Sequence, residues 1–137
     1  MKRAMCFDPG VTTGYSVVEL GDDWATVIDA GEFNEFHLVR SLVDKYQPDY
    51  LLYESFHLVS TAIDKTPIEV IGAIKALIGA DYPLIAVPPA SRKFAVVRYG
   101  KPMFKDISSV HGKAATHHLV AWLYHKHAYR NFRVNLQ

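Results

Sequence analysis

Three strand-like runs joined by short turns occupy the first quarter of the chain and constrain its fold more than any other feature. The runs cover residues 3–9, 13–20 and 24–33, with glycines in the first turn and Gly21-Asp22-Asp23 in the second. Connections this short favour antiparallel pairing of consecutive strands. The sequence therefore predicts a three-stranded antiparallel meander at the start of the protein.

Beyond residue 33 the pattern alternates between helical and strand periodicity. The expected helices cover 35–47, 68–80, 91–100 and about 110–130, and the expected strands cover 49–56 and 83–89. Strands separated by helices pair in parallel through right-handed crossovers. The sequence thus predicts an α/β protein, a single domain over residues 1–137, with a mixed five-stranded sheet flanked by helices.

Composition limits the classes of protein to which the chain can belong. Half of its 137 residues are hydrophobic, which is enough for a core, yet no apolar run approaches the roughly 20 residues of a membrane span. Its one cysteine, Cys6, excludes an internal disulfide. The N-terminus shows no signal-peptide pattern. These features predict a cytoplasmic protein with no membrane partner.

Charge is distributed very unevenly along the chain. Residues 1–91 contain 6 Lys/Arg against 13 Asp/Glu, whereas residues 92–137 contain 9 Lys/Arg against Asp106 alone. A basic third beside an acidic remainder is typical of a polyanion-binding protein, although it also fits a solvated basic surface. The cations that we expect to contact the phosphates of such a polyanion are Arg92, Lys93, Arg98, Lys101, Lys105 and Lys113.

Two carboxylates stand near the ends of predicted strands. Asp8 ends the first strand before a glycine turn, and Glu54 lies near the end of the fourth. If these strands are neighbours, the carboxylates converge at one edge of the sheet, where they repel each other unless a divalent cation holds them. An oxygen-rich site suits Mg²⁺ or Mn²⁺. Either residue alone could equally be an ordinary surface carboxylate.

The last predicted helix is rich in histidine. His111, Ala114 and His118 are spaced so that they share one helical face. His111 lies at the helix start in the most basic part of the chain and is therefore well placed to meet phosphate. A zinc site is disfavoured, because the usual pair of histidines four residues apart with a nearby glutamate is missing.

These motifs together resemble the RuvC-type Holliday-junction resolvases, and in particular their short phage-encoded members. The matching residues are Asp8-Pro9-Gly10 with Gly14, then Glu54-Ser55-Phe56, then the histidine-bearing last helix. The resemblance covers nearly the whole chain and implies a ribonuclease H-like fold. It also implies a nuclease that resolves four-way DNA junctions, in the host cytoplasm if the chain is phage-encoded.

The resemblance implies a role for each matching residue. Asp8 and Glu54 would hold two divalent ions at the scissile phosphate, and His111 would position or deprotonate the attacking water. Phe56 would stack on an unpaired base, although it could equally be a core residue. Symmetric cuts on two strands imply a homodimer, for which helix 68–80 is a candidate contact; simple packing on the sheet explains that helix equally well.

The chain departs from the resolvase pattern at one position. The pattern His-x-x-Asp-Ala in the last helix is here His111-Gly112-Lys113-Ala114-Ala115, so Ala114 replaces a catalytic aspartate. The chain is either a natural protein without that ligand or one with a deliberate Asp→Ala change. Loss of the ligand predicts impaired cleavage, whereas a natural protein that never needed it would not be impaired. The alternatives are a branched-DNA-binding protein that does not cut, and a ribonuclease H-like nuclease acting on forks or flaps.

Overall fold

A computed structural model describes residues 1–55 and 65–136. Its strands are β1 (Lys2–Asp8), β2 (Thr13–Leu20), β3 (Trp24–Phe33), β4 (Tyr50–Glu54), β5 (Leu84–Val87) and β6 (Asn131–Val134). Its α-helices are α1 (His37–Tyr46), α2 (Thr66–Ile78), α3 (Ser91–Tyr99) and α4 (Val110–His127), with a 3₁₀ turn at Lys101–Phe104. Within the described residues, no helix combines the length and apolar character needed to cross a membrane.

The strands form one mixed sheet in the order β5-β4-β1-β2-β3-β6. The first three strands are the predicted antiparallel meander, and β1–β4, β4–β5 and β3–β6 pair in parallel. The described part of the sheet has six strands, so the prediction of five was wrong. The sequence did not reveal β6 because that strand has only four residues and is defined by its pairing with β3.

The end of α4 explains how β6 reaches the sheet. The predicted helix ran to about residue 130, whereas α4 ends at His127. Ala128 has a φ of 57°, in the left-handed region, which stops the helix and turns the chain. Tyr129 then donates its hydroxyl hydrogen to the Gly21 carbonyl at 2.6 Å, and Phe132 pairs with Ala25. The chain is thereby fixed along the outer edge of β3.

Alternate side chains of each strand point to opposite faces of the sheet. Each face packs against a different pair of helices. Met5 and Phe7 of β1 pack with α1 and α2, whereas Ala4 and Cys6 pack with α3 and α4. Asp8 follows Ala4 and Cys6 in this alternation, so it points to the face that carries α3 and α4. This central strand is buried throughout its second half, and its carboxyl end opens at the edge of the core.

Helix α4 begins in close contact with the backbone of the sheet. A side chain at Gly14 would place its Cβ 2.0 Å from the His111 carbonyl oxygen, so only glycine allows this approach. The Ser109 side chain accepts a hydrogen bond from the Gly112 amide at 2.9 Å and caps the helix. The same hydroxyl donates to Glu32 of β3. These contacts fix where His111 lies relative to β1.

Helix α2 buries one face against the sheet through Val70, Ile74 and Ile78. Ile68 and Leu77, nine residues apart and therefore on opposite sides of the helix, are each 40% exposed. Packing on the sheet therefore accounts for only part of its apolar surface, and the homodimer contact remains a prediction.

Candidate active site

Asp8 and Glu54 end two neighbouring parallel strands. Phe7 pairs with Tyr53 in the β1–β4 ladder, so the next residue of each strand lies at the same edge of the sheet. Asp8 is buried and Glu54 is half-buried. Ligand atoms of Asp8, Glu54 and His118 all lie within 4.8 Å of one another. The structure thus brings the two expected carboxylates together and adds a histidine from α4.

His118 reaches this cluster from the interior of the protein. Its side chain is fully buried, with Nδ1 2.6 Å from Ser91 Oγ at the start of α3. Nε2 lies 3.1 Å from Glu54 Oε2, but the angles are not those of a hydrogen bond, and Nε2 has no hydrogen-bond partner within the described residues. Burial lowers the pKa of His118 to about 4, against the opposing effect of the Asp8 charge. The imidazole is therefore neutral at physiological pH.

Asp8 has an unusual protonation equilibrium for a carboxyl group. Burial, a hydrogen bond with Glu54 and the negative charge of that residue together raise its pKa from 3.8 to about 7. The charge of Arg92 opposes this effect without cancelling it. A cation between the carboxylates would favour their charged forms. The geometry therefore suits a bound cation better than two free carboxylates.

A cavity of about 490 Å³ opens in front of the carboxylates. Its lining is Asp8, Pro9, Gly10, Val11, Thr12, Glu54, Ser55, Pro67, Arg92 and His111. His111 Nδ1 lies 3.7 Å from Asp8 Oδ2, and its side chain is 45% exposed. The cavity thus presents a carboxylate pair, an accessible imidazole and a guanidinium, a combination that can receive a phosphodiester and a water molecule.

A second, basic cavity lies beside the first and shares Arg92 with it. Arg92, Lys93 and Lys113 contribute its cations, and Val96, Val110 and Ala114 contribute apolar surface. Ala114 is almost fully buried and belongs to the lining of this cavity, not of the one in front of Asp8. Of the six cations expected to contact phosphate, Arg92 therefore lies beside the carboxylates, and Lys93 and Lys113 line the adjoining cavity.

The other three predicted phosphate contacts lie farther along the same basic segment. Arg98 is exposed near the end of α3 and stacks over the Tyr99 and Tyr124 rings at 5.6 and 5.9 Å. Lys101 and Lys105 are exposed around the 3₁₀ turn. Within the described chain, no Lys or Arg from 92 to 133 forms an ion pair with a carboxylate. Their charge is thus available to an external anion.

The sequence did not identify His118 and Ser91 as residues of the site, and its prediction for Phe56 cannot be compared with the structure. The sequence analysis placed His118 only on a helical face shared with His111 and Ala114. The apolar residues Ala115 and Leu119 on either side of it, both buried, were a signal that His118 faces the interior. Nothing in the sequence indicated that Ser91 contacts it. Phe56 lies outside the described residues, so its predicted stacking role remains a prediction.

The fold is similar to solved structures of junction resolvases, although no protein-family model and no curated protein sequence matches the chain. The RuvC structure from Thermus thermophilus aligns with a TM-score of 0.72 and 13% identity, covering 92% of this chain and 96% of that one. The same protein in complex with a Holliday junction substrate aligns with a TM-score of 0.73, 13% identity and coverage of 93% and 96%.

A second resolvase shares this architecture. The yeast mitochondrial Holliday junction resolvase Ydc2 aligns with a TM-score of 0.65 and 15% identity, covering 89% of this chain and 78% of that one. The predicted ribonuclease H-like α/β fold and the resemblance to the resolvases are confirmed at the level of the fold.

Proposed function

We propose that this protein is a metal-dependent endonuclease that resolves four-way DNA junctions. The observation that carries the proposal is the meeting of Asp8, Glu54 and His118 at one strand edge, beside a cavity rimmed by Arg92. The fold supports the choice of substrate, because Thermus RuvC, which has the same architecture, has been solved with a Holliday junction.

The residues present fit a divalent cation. Two carboxylates and a buried nitrogen without a hydrogen-bond partner converge within 4.8 Å, which is costly unless a positive charge lies among them. Asp8 and Glu54 would hold Mg²⁺ or Mn²⁺, two ions in the fully active site. When bound, such ions activate water and stabilise the leaving oxygen of a phosphodiester.

The chain's own side chains would orient the substrate and handle its proton. Arg92 lies between the two cavities and would bind the non-bridging oxygens of the phosphate. His111, half-exposed beside Asp8, would accept a hydrogen bond or a proton from the attacking water. Lys93 and Lys113 would bind neighbouring phosphates of the same strand. Lys101, Lys105 and Arg98 would then meet a second arm of the junction.

Cleavage of both strands of a junction requires two such sites. We therefore propose a twofold-symmetric homodimer, with the exposed apolar face of α2 as the contact. Ile68, on the side of α2 away from the sheet, is 40% exposed and would be a central residue of that contact.

Ala114 limits the activity that we expect. An aspartate at this position would add a carboxylate on the α4 face that carries His111, and alanine contributes no ligand oxygen. We therefore propose that this chain binds its second ion weakly and cuts slowly. Ala114→Asp should raise metal-dependent cleavage while changing junction binding much less. Aspartate is tolerated in the first turns of a helix, where it complements the helix dipole.

The test is a single-turnover assay on a labelled four-way junction with Mg²⁺ or Mn²⁺, with linear duplex, fork and flap as comparison substrates. We expect preferential cutting of the junction by the unmodified chain, faster cutting by Ala114→Asp, and none by Asp8→Asn. Tight binding without cutting by any variant would indicate the non-cleaving branched-DNA-binding protein. Equal or faster cutting of forks or flaps would indicate the alternative nuclease.

A further inference from the structure

His118 is a buried polar residue of the proposed site whose own role has not yet been assigned. Its position relative to Ser91 determines which ring nitrogen carries the proton. Ser91 Oγ lies 2.9 Å from the Pro88 carbonyl oxygen, which can only accept a hydrogen bond, so the single hydroxyl hydrogen of Ser91 points there. Oγ must then accept a hydrogen bond from His118 Nδ1 at 2.6 Å. The proton of the neutral ring therefore lies on Nδ1.

This arrangement leaves Nε2 as a bare lone pair that faces carboxylate oxygens. Nε2 is 3.1 Å from Glu54 Oε2, makes no hydrogen bond to any described group, and belongs to a side chain with no exposed surface. A nitrogen lone pair and carboxylate oxygens repel one another when nothing positive lies between them. The same atoms around a metal ion would form one nitrogen and two oxygen ligands.

We propose that His118 Nε2 is a direct metal ligand, held in the ligating tautomer by Ser91, and that the site therefore binds a first-row transition ion such as Mn²⁺ in preference to Mg²⁺. This inference deepens the proposed nuclease function and rests on it. Ser91 acts as a positioning residue, because it touches the imidazole and not the metal.

The preference follows from the nature of the ligands. Mg²⁺ takes oxygen ligands and keeps several waters, whereas imidazole nitrogen is a ligand of transition ions. Mn²⁺ accepts the same oxygen ligands as Mg²⁺, so a comparison of the two ions isolates the contribution of the nitrogen. A site made of Asp8 and Glu54 alone would show little difference between them.

The primary measurement is electron spin-echo envelope modulation of Mn²⁺ bound to the DNA-free protein. A directly coordinated imidazole nitrogen gives a ¹⁴N modulation, which should change to the ¹⁵N pattern in protein labelled with ¹⁵N-histidine. This experiment uses the unmodified chain, so it does not depend on whether a variant of a buried residue folds. Absence of nitrogen modulation from the bound ion would overturn the proposal.

Variants then identify the histidine. His118→Gln should remove the modulation and raise the Mn²⁺ dissociation constant by about tenfold in calorimetry, while changing that for Mg²⁺ by less than about threefold. His117→Gln is the matched control: it makes the same change one residue away, at a half-buried side chain that lines the other cavity. His111→Gln tests the other imidazole near Asp8. Modulation that survives in His118→Gln, or disappears in His111→Gln, would overturn the assignment.

Ser91→Ala tests the positioning role separately. The imidazole remains, but Nδ1 loses its partner, so we expect the nitrogen modulation to persist while Mn²⁺ binding weakens several-fold. Unchanged Mn²⁺ affinity would contradict a role for Ser91. Circular dichroism and thermal unfolding of each variant show whether it is folded.

The two proposals can fail independently. Junction cleavage with Mg²⁺ and Mn²⁺ alike, without nitrogen modulation, would leave the nuclease standing and overturn the ligand assignment. Nitrogen coordination without cleavage of any DNA substrate, by the unmodified chain or by Ala114→Asp, would overturn the nuclease and leave a metal site of another purpose.

Discussion

The charged side chains at the two ends of strand β1 have different kinds of partner. At the amino end, the Arg3 guanidinium donates to Glu19 Oε2 at 3.3 Å and to the Tyr46 carbonyl oxygen at 3.2 Å. The Arg3 amide donates to Asp49 Oδ2 at 2.9 Å. At the carboxyl end, Asp8 meets Glu54 and a neutral imidazole. The charged groups at the amino end are paired within the protein, and the carboxyl end is where we propose a bound cation.

The difference indicates which end serves stability and which serves chemistry. Carboxylates that lie beside a guanidinium stabilise the fold modestly when they are partly exposed. A buried carboxylate pair without a cation costs stability, and proteins tolerate such pairs where a ligand or substrate supplies the missing charge. The following predictions test this division of roles along β1.

The largest expected effect is on cleavage. Asp8→Asn keeps the size of the side chain but removes a charged ligand, so we expect cleavage of a four-way junction to fall by roughly 10²–10³-fold or more. Binding of the junction, measured by gel shift with Ca²⁺ or EDTA, should change far less. Cleavage at the unmodified rate would show that Asp8 does not hold the ion.

The pH dependence of stability should differ between Asp8→Asn and the unmodified chain. An acid whose pKa rises from 3.8 to about 7 on folding carries no penalty at low pH. The penalty grows as pH rises between these two values, and it is complete above about 7. In EDTA, Asp8→Asn should therefore gain stability over the unmodified chain from pH 4.5 to 8, by at most a few kcal/mol.

Thermal unfolding at several pH values measures this gain. Mn²⁺ should raise the melting temperature of the unmodified chain at pH 8 and should affect Asp8→Asn much less. Parallel stability profiles for the two proteins would contradict the electrostatic cost assigned to the carboxyl end of β1.

The close approach beside Asp8 provides a steric test. Gly14 pairs with Asp8 in the β1–β2 ladder, and a Cβ there would lie 2.0 Å from the His111 carbonyl oxygen. We expect Gly14→Ala to lower the free energy of unfolding by about 1–3 kcal/mol and to slow cleavage by displacing His111. Gly72→Ala is the matched control, because nothing lies within 4 Å of a Cβ at that helical position. It should stabilise α2 by roughly 0.5–1 kcal/mol and leave the position of His111 unchanged.

The smallest effect is expected at the amino end of β1. Glu19→Gln removes the charged partner of Arg3, whose side chain is 36% exposed, so the loss of stability should stay below about 1 kcal/mol. Junction cleavage should remain at the unmodified rate. A large loss of cleavage in Glu19→Gln would mean that the two ends of the strand do not have separate roles.

The sequence predicts the strands that carry the carboxylates, because buried strands and short turns are local signals. The pairing of β1 with β4 was a condition of the sequence argument and not a result of it, because the crossover rule gives the handedness of a connection and not which strands are neighbours. The placement of His118 could not be predicted, since it depends on how closely α4 approaches β2 at Gly14. Helical spacing placed His111 and His118 on one face of α4 but did not show which of them meets Glu54. Strand β6 escaped prediction for a similar reason, since its four residues become a strand only beside β3.

Arg92 has a consequence for the order in which ligands bind. Arg92 lines both cavities. Lys93 and Lys113 lie on one side of it, and the carboxylates of Asp8 and Glu54 lie on the other, so the electrostatic potential changes sign across this side chain. In the proposed nuclease, a nucleic-acid backbone that follows the positive side would be repelled by the carboxylates beyond Arg92, until a cation neutralises them. Cation and DNA would therefore be thermodynamically linked: each should increase the affinity of the other by the same factor. DNA would then bind the metal-loaded form in preference to the metal-free form.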